Sequence, residues 1–115
     1  MGPVITYVST IQPIQTQNIV IYGSGFGNNT PYVNEDSQYI SIYDETAGWE
    51  AGYSPDGNSV TLDVGAWTDT EIVITGFNGA YGWGNWVLNS GDEILVSVWN
   101  PQTDTGPATY VTYVQ

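Results

Sequence analysis

Glu93-Ile94-Leu95-Val96-Ser97-Val98-Trp99 decides the fold. Successive side chains of an extended chain point to opposite faces. Ile94, Val96 and Val98 therefore share one face, and Leu95, Ser97 and Trp99 the other. The same alternation recurs on both sides of this segment. Ile40 and Ile42 oppose Tyr39, Ser41 and Tyr43. Val60, Leu62 and Val64 line one face of 59–64, and Ile72 and Ile74 one face of 70–77. Nowhere do ten or more residues carry apolar positions at i, i+3, i+4 and i+7, so helix signals are nearly absent.

Further short β-branched runs complete the pattern. They are Val4–Val8, Ile11 to Ile14 across Pro13, 18–22, Trp49–Tyr53 and Thr109–Val114. The Ile11–Ile14 run reads as an edge strand kinked by its proline. Gly, Pro, Asn and Asp clusters separate the runs, and Pro55-Asp56-Gly57-Asn58 is a turn by composition. Seven to nine short strands with regular turn signals predict an all-β, antiparallel β-sandwich of the immunoglobulin-like kind. With 115 residues, no repeat and no composition break, residues 1–115 are expected to form one domain.

The composition excludes much. The chain has no Lys, Arg, His or Cys, and twelve Asp and Glu give a formal net charge of −12. No imidazole base, thiol nucleophile, Schiff-base amine or guanidinium clamp is available. Nucleic acid needs cationic side chains to displace counterions, and an anionic membrane surface would repel the chain. No disulfide framework exists, so packing and hydrogen bonds carry the fold. No run of 18 apolar residues is present. Met1-Gly2 leads straight into a strand-like segment. The expected setting is one monomeric domain of a larger secreted or cell-surface protein. Carboxylates with no cationic partner lose little on protonation, which suits an acidic or extracellular medium.

Pro3, Ile11-Gln12-Pro13 and then Ile19-Val20-Ile21-Tyr22-Gly23-Ser24-Gly25-Phe26-Gly27 resemble the opening of IPT/TIG domains. Leu88-Asn89-Ser90-Gly91-Asp92 before the 94–98 strand fits the same likeness, which covers most of the chain. The resemblance implies an immunoglobulin-like sandwich whose second strand runs into a Gly-x-Gly-Phe turn. It also implies a role as an accessory or adhesion module of surface or secreted proteins. The missing cations rule out the DNA-binding branch of that family. Two segments carry more aromatics than a plain spacer needs, 39–53 and 77–86.

The richest is Phe77-Asn78-Gly79-Ala80-Tyr81-Gly82-Trp83-Gly84-Asn85-Trp86. Sugar rings present flat C–H faces to aromatic rings, while their hydroxyls seek amides and carboxylates. Glycines let a polysaccharide approach the backbone. Trp83, Trp86 and Tyr81, with Asn78 and Asn85, are therefore the first candidates for carbohydrate binding. The bland alternative is that Trp83 or Trp86 folds back to cap the sandwich. Trp49, between Glu45 and Tyr53, either extends that surface or serves as the core tryptophan. Trp67, just before a strand, reads as a plug between the sheets. Trp99 lies on the face opposite Ile94, Val96 and Val98, either as an outer platform or beneath the Asn100–Pro107 loop.

Three adjacent carboxylate pairs occur: Glu35-Asp36, Asp44-Glu45 and Asp92-Glu93. They read as solvated acidic surface. No cofactor is expected. Calcium stays open, since it needs six to eight oxygens and no Asp-x-Asp-x-Asp-Gly loop is present. A glycosidase would need two carboxylates in a cleft, which a sandwich of this size seldom forms. Gly23–Gly27 opens no helix and is a turn, not a nucleotide loop. Asn28-Asn29-Thr30 is a formal glycosylation sequon followed by Pro31. The expected role is a non-catalytic module that binds polysaccharide or glycan. The alternative is a spacer or adhesion domain with no small-molecule ligand.

Overall fold

Each alternating run forms a strand. The computed structural model describes residues 2–28, 37–52 and 60–115. Within them run β1 (Val4–Val8), β2 (Thr16–Ser24), β3 (Ile40–Asp44), β4 (Trp49–Gly52), β5 (Val60–Trp67), β6 (Glu71–Gly79), β7 (Glu93–Asn100) and β8 (Thr105–Tyr113). The described residues contain no helix. The Pro55–Asn58 turn, Tyr53, the Glu35-Asp36 pair and most of the sequon lie outside the described residues.

The strands lie in the order β1-β2-β6-β5-β4-β3-β7-β8. β1-β2-β6-β5 form one antiparallel half. β4-β3-β7-β8 form the other. The halves meet at a parallel seam where, among the described residues, Ala51 pairs with Val60. On the far side, Ile11 bridges Val114, and Gln115 N donates to the Ile11 carbonyl at 2.9 Å. The fold is all-β with eight strands, within the expected seven to nine, and they join in one mixed, nearly closed sheet.

The predicted inward sets fill its interior. Ile40, Ile42, Val60, Leu62, Val64, Ile72, Ile74, Ile94, Val96 and Val98 are all buried. β5 changes phase to include one more: its pairing with β6 shifts between Val64 and Ala66. The shift turns Trp67 inward, where its indole Nε1 donates to the Phe26 carbonyl at 2.9 Å. A bulge of this kind adds one residue and flips the later side chains to the other face.

The Gly-x-Gly-Phe turn inserts Phe26 fully into the core. Close approach dictates the first glycine. A Cβ on Gly23 would stand 1.9 Å from the Val4 carbonyl oxygen and 2.8 Å from Phe26 Cζ. Asp69 then fastens the turn by accepting hydrogen bonds from Gly25 N at 3.4 Å and Gly27 N at 3.1 Å.

The Ile11–Ile14 segment is not the edge strand its composition predicts. Ile11 is buried and makes only the bridge to Val114, while Ile14 is exposed. The cause is a local competitor for the backbone. The Gln17 side chain accepts from Gln12 N at 2.8 Å and donates to the Gln12 and Ile14 carbonyls, each at 2.7 Å. Pro13 lacks the N–H that a ladder needs, so these bonds close a bend instead.

Candidate functional site

β6 delivers Phe77 into the core, and the chain then leaves the sheet as a glycine-rich loop. Backbone hydrogen bonds fold the loop onto itself. Trp83 N donates to the Ala80 carbonyl at 3.1 Å, Trp86 N to the Trp83 carbonyl at 2.9 Å, and Gly82 N to the Trp86 carbonyl at 2.8 Å. Gly82 and Gly84 adopt φ of 100° and 58° with open space where a Cβ would sit. Glycine is needed here for the backbone turn, not for room. Trp83, between them, is 73 % exposed, the most exposed of the described large apolar side chains.

The other aromatics serve as the loop's footing. Tyr81 is half-buried and stacks on Phe77, with ring centroids 5.5 Å apart and planes 29° apart. Its hydroxyl accepts from Leu88 N at 3.1 Å. Trp49 is only 4 % exposed. It meets Tyr81 edge-on at 6.1 Å and Phe77 at 6.2 Å, and its Nε1 donates to the Val87 carbonyl at 3.2 Å. A tryptophan held on all sides in this way is a core residue and offers no flat face to a ligand. Trp86 is half-buried and packs against the same cluster. Asn85 is exposed, with its amide donating to the Ala47 carbonyl at 2.8 Å. Asn78 is exposed at the end of β6 and donates to an Asp63 carboxylate oxygen at 3.4 Å. Tyr81, Trp83, Asn85, Trp86 and Trp49 therefore share one neighbourhood. Trp99 does not join them. It is half-buried at the other end of β7, where Gly106 packs within reach of its ring.

Three features escaped the sequence reading. Tyr7 and Tyr22 stack on the outer face of β1 and β2 at 6.1 Å and 28°, and both are exposed. Cross-strand pairing brings them together, and an unassigned strand register hides such a pair. An open depression of about 550 Å³ lies at the Phe26 end, lined by Gly27, Asn28, Trp67, Thr68, Asp69 and Gln102. Its amides are already committed, since Gln102 both accepts from Asn28 N and donates to the Asn28 carbonyl.

The third corrects the reading of the carboxylates. Asp44 is fully buried and Asp92 is 6 % exposed, so neither belongs to a solvated acidic surface. Asp44 Oδ1 accepts from Ala47 N at 2.9 Å. Its Oδ2 is buried without a hydrogen-bond partner. Asp92 Oδ2 accepts from Asn89 N at 3.3 Å. Burial, reinforced by the neighbouring Asp92 carboxyl, pushes the Asp44 carboxyl up to about 7. The signal was present in the alternation. Asp44 continues the inward series Ile40, Ile42, and Asp92 precedes Ile94 by one pleat. No group of three or more Asp or Glu side chains among the described residues is arranged to hold a metal ion.

Comparison with protein-family models, with curated proteins and with solved structures finds no match to this chain.

Proposed function

We propose that this domain is a non-catalytic carbohydrate-binding module of the IPT/TIG-like kind, carried by an extracellular protein. One observation supports this best. Trp83 stands 73 % exposed at the tip of a loop whose remaining aromatics are packed beneath it. A flat aromatic face held in water on a firm support is the arrangement that stacking against a ligand requires. The C–H face of a sugar fits that role. The ligand class is a polysaccharide or glycan, with the exposed Asn85 two residues along the same loop and Asn78 at the end of β6 as the amides it would use. The lack of any cationic side chain argues for a neutral or hydroxyl-rich ligand over a phosphorylated one.

A second reading, a spacer or adhesion domain, rests on the burial of Trp49 and the packing of Tyr81 and Trp86. Packing alone would account for those three rings. Affinity gels containing cellulose, xylan or mannan separate the two readings. Trp83→Ala is expected to weaken retention by about 1–3 kcal/mol, by analogy with base stacking on aromatic side chains, while the melting temperature holds. Equal migration of wild type and variant in every gel favours the spacer.

A further inference from the structure

Two turns support the aromatic loop, and a buried carboxyl group anchors each. The first, 44–48, follows β3. Asp44 caps it through Ala47 N, and the Ala47 carbonyl receives the Asn85 amide from the loop. The second, 89–92, precedes β7. Asp92 caps it through Asn89 N. Just upstream, Leu88 N reaches the Tyr81 hydroxyl, and the Val87 carbonyl receives the Trp49 indole. Two cross-bonds tie the turns together, Glu45 N to the Glu93 carbonyl and Glu93 N to Thr46 Oγ1, both at 2.9 Å.

Between the turns the Asp92 carboxyl lies within side-chain hydrogen-bonding reach of Asp44, and both groups are buried. Asp44 Oδ2 is buried with nothing to accept from. Two ionised carboxylates in that position would repel, and an unpartnered buried charge is strongly unfavourable. The elements packed around the pair add Glu45 from the turn, Glu50 from β4, Glu93 from β7, Tyr81 from the loop and Tyr113 from β8, opposite Glu93. None can supply a positive charge, and the chain has no Lys, Arg or His to do so. A proton resolves the conflict. Carried on Asp44 Oδ2, it donates to the Asp92 carboxyl and satisfies the orphaned oxygen.

We infer that Asp44 and Asp92 share a single proton that clasps the two turns beneath the Trp83 loop, so that the loop is held firmly in acid and loosened in base. The raised Asp44 carboxyl places the change near pH 7. A group whose folded-state pKa exceeds its unfolded value stabilises the fold at low pH. That stability is lost as pH rises from about the free carboxylate range through the folded pKa.

The test is a carbon-13 and nitrogen-15 NMR titration of the whole chain from pH 4 to pH 9, with melting curves over the same range. The Asp44 carboxyl carbon is expected to titrate with a midpoint near 7. The Asn85 side-chain amide and the Leu88 backbone amide should shift with that midpoint, and the melting temperature should fall from pH 4 to pH 8. Asp44→Asn, whose amide donates where the proton did, should hold the loop signals flat and remove this part of the fall. An Asp44 midpoint in the ordinary carboxylate range overturns the inference, as do loop amides that ignore its titration. Calcium chloride that raises the melting temperature at pH 8 and shifts the same signals also overturns it, because the pair would then be a cation site. If Asp44→Asn does not fold, Asp92→Asn serves. It removes the like charge and should move the Asp44 midpoint down, and an unmoved midpoint counts against sharing. A further consequence, resting on the carbohydrate reading, is stronger glycan retention at pH 5 than at pH 8. If retention is absent while the amides still track Asp44, the carbohydrate reading fails and the shared proton stands.

Discussion

A single missing methyl group decides the path of the chain at Gly23. Its position in Gly23-Ser24-Gly25-Phe26-Gly27 suggests an ordinary flexible turn. The structure gives a sharper reason, because a side chain there would enter both the β1 backbone and the Phe26 ring. The clash with the Val4 carbonyl involves backbone and cannot be relieved by a rotamer change. Gly23→Ala is therefore expected to destabilise by at least the 1–3 kcal/mol typical of overpacking, read as a lowered denaturation midpoint in urea. Gly82 offers the useful contrast, with open space around it and only its positive φ to protect. The difference depends on which strand lies across the glycine, information that composition does not carry. Asp44 and Asp92 teach the same lesson from the other side. Their period-two positions point inward, yet a carboxylate is ordinarily assigned to water, and only the register between β3 and β7, with Asp44 opposite Ile94, brings Asp44 close to Asp92.

At the scale of elements, alternation was legible wherever one face of a strand is buried. β1, β3, β6 and β7 fall on or within two residues of the segments read from the sequence. β8 starts earlier, at Thr105, because Gly106 and Pro107 look like turn residues while their neighbours pair with β7. Ile11–Ile14 failed as a strand because Gln17 supplies side-chain bonds that no strand pattern encodes. The aromatic loop was legible as a site candidate but not as a division of labour. Which ring is exposed and which is footing depends on the stack of Phe77, Tyr81 and Trp49. One bond links the loop tip to the neighbouring turn, from Asn85 to the Ala47 carbonyl. Asn85→Ala removes an exposed hydrogen bond worth about 0.5–1.5 kcal/mol. The expected result is faster amide exchange at Trp83 and Trp86 with little change in melting temperature, measured by hydrogen exchange and calorimetry on the same sample.

Charge dominates at the scale of the whole molecule. Twelve carboxylates and no cationic side chain leave the fold with repulsion that no internal pair offsets. Raising sodium chloride at neutral pH should screen it and lift the melting temperature. Retention on DNA, RNA or anionic vesicles should be absent even at low salt, and salt-sensitive retention in a gel-shift or vesicle pelleting assay would contradict this account.

The sheet order also has a consequence in time. β1 with β2, β3 with β4, β5 with β6 and β7 with β8 are neighbours in sequence, and each pair can close over a short connection. β2 is different. Besides its sequence neighbour β1, it pairs with the distant β6, with Ile21 opposite Ile72 and Ile19 opposite Ile74. That pairing must bring together two points separated by β3, β4 and β5, before the interior that rewards it is complete. Closing a long loop ahead of its contacts is what slows β-rich chains. Local hairpins are therefore expected to close first, and the two distant pairings, β2 on β6 and β3 on β7, to complete the sheet.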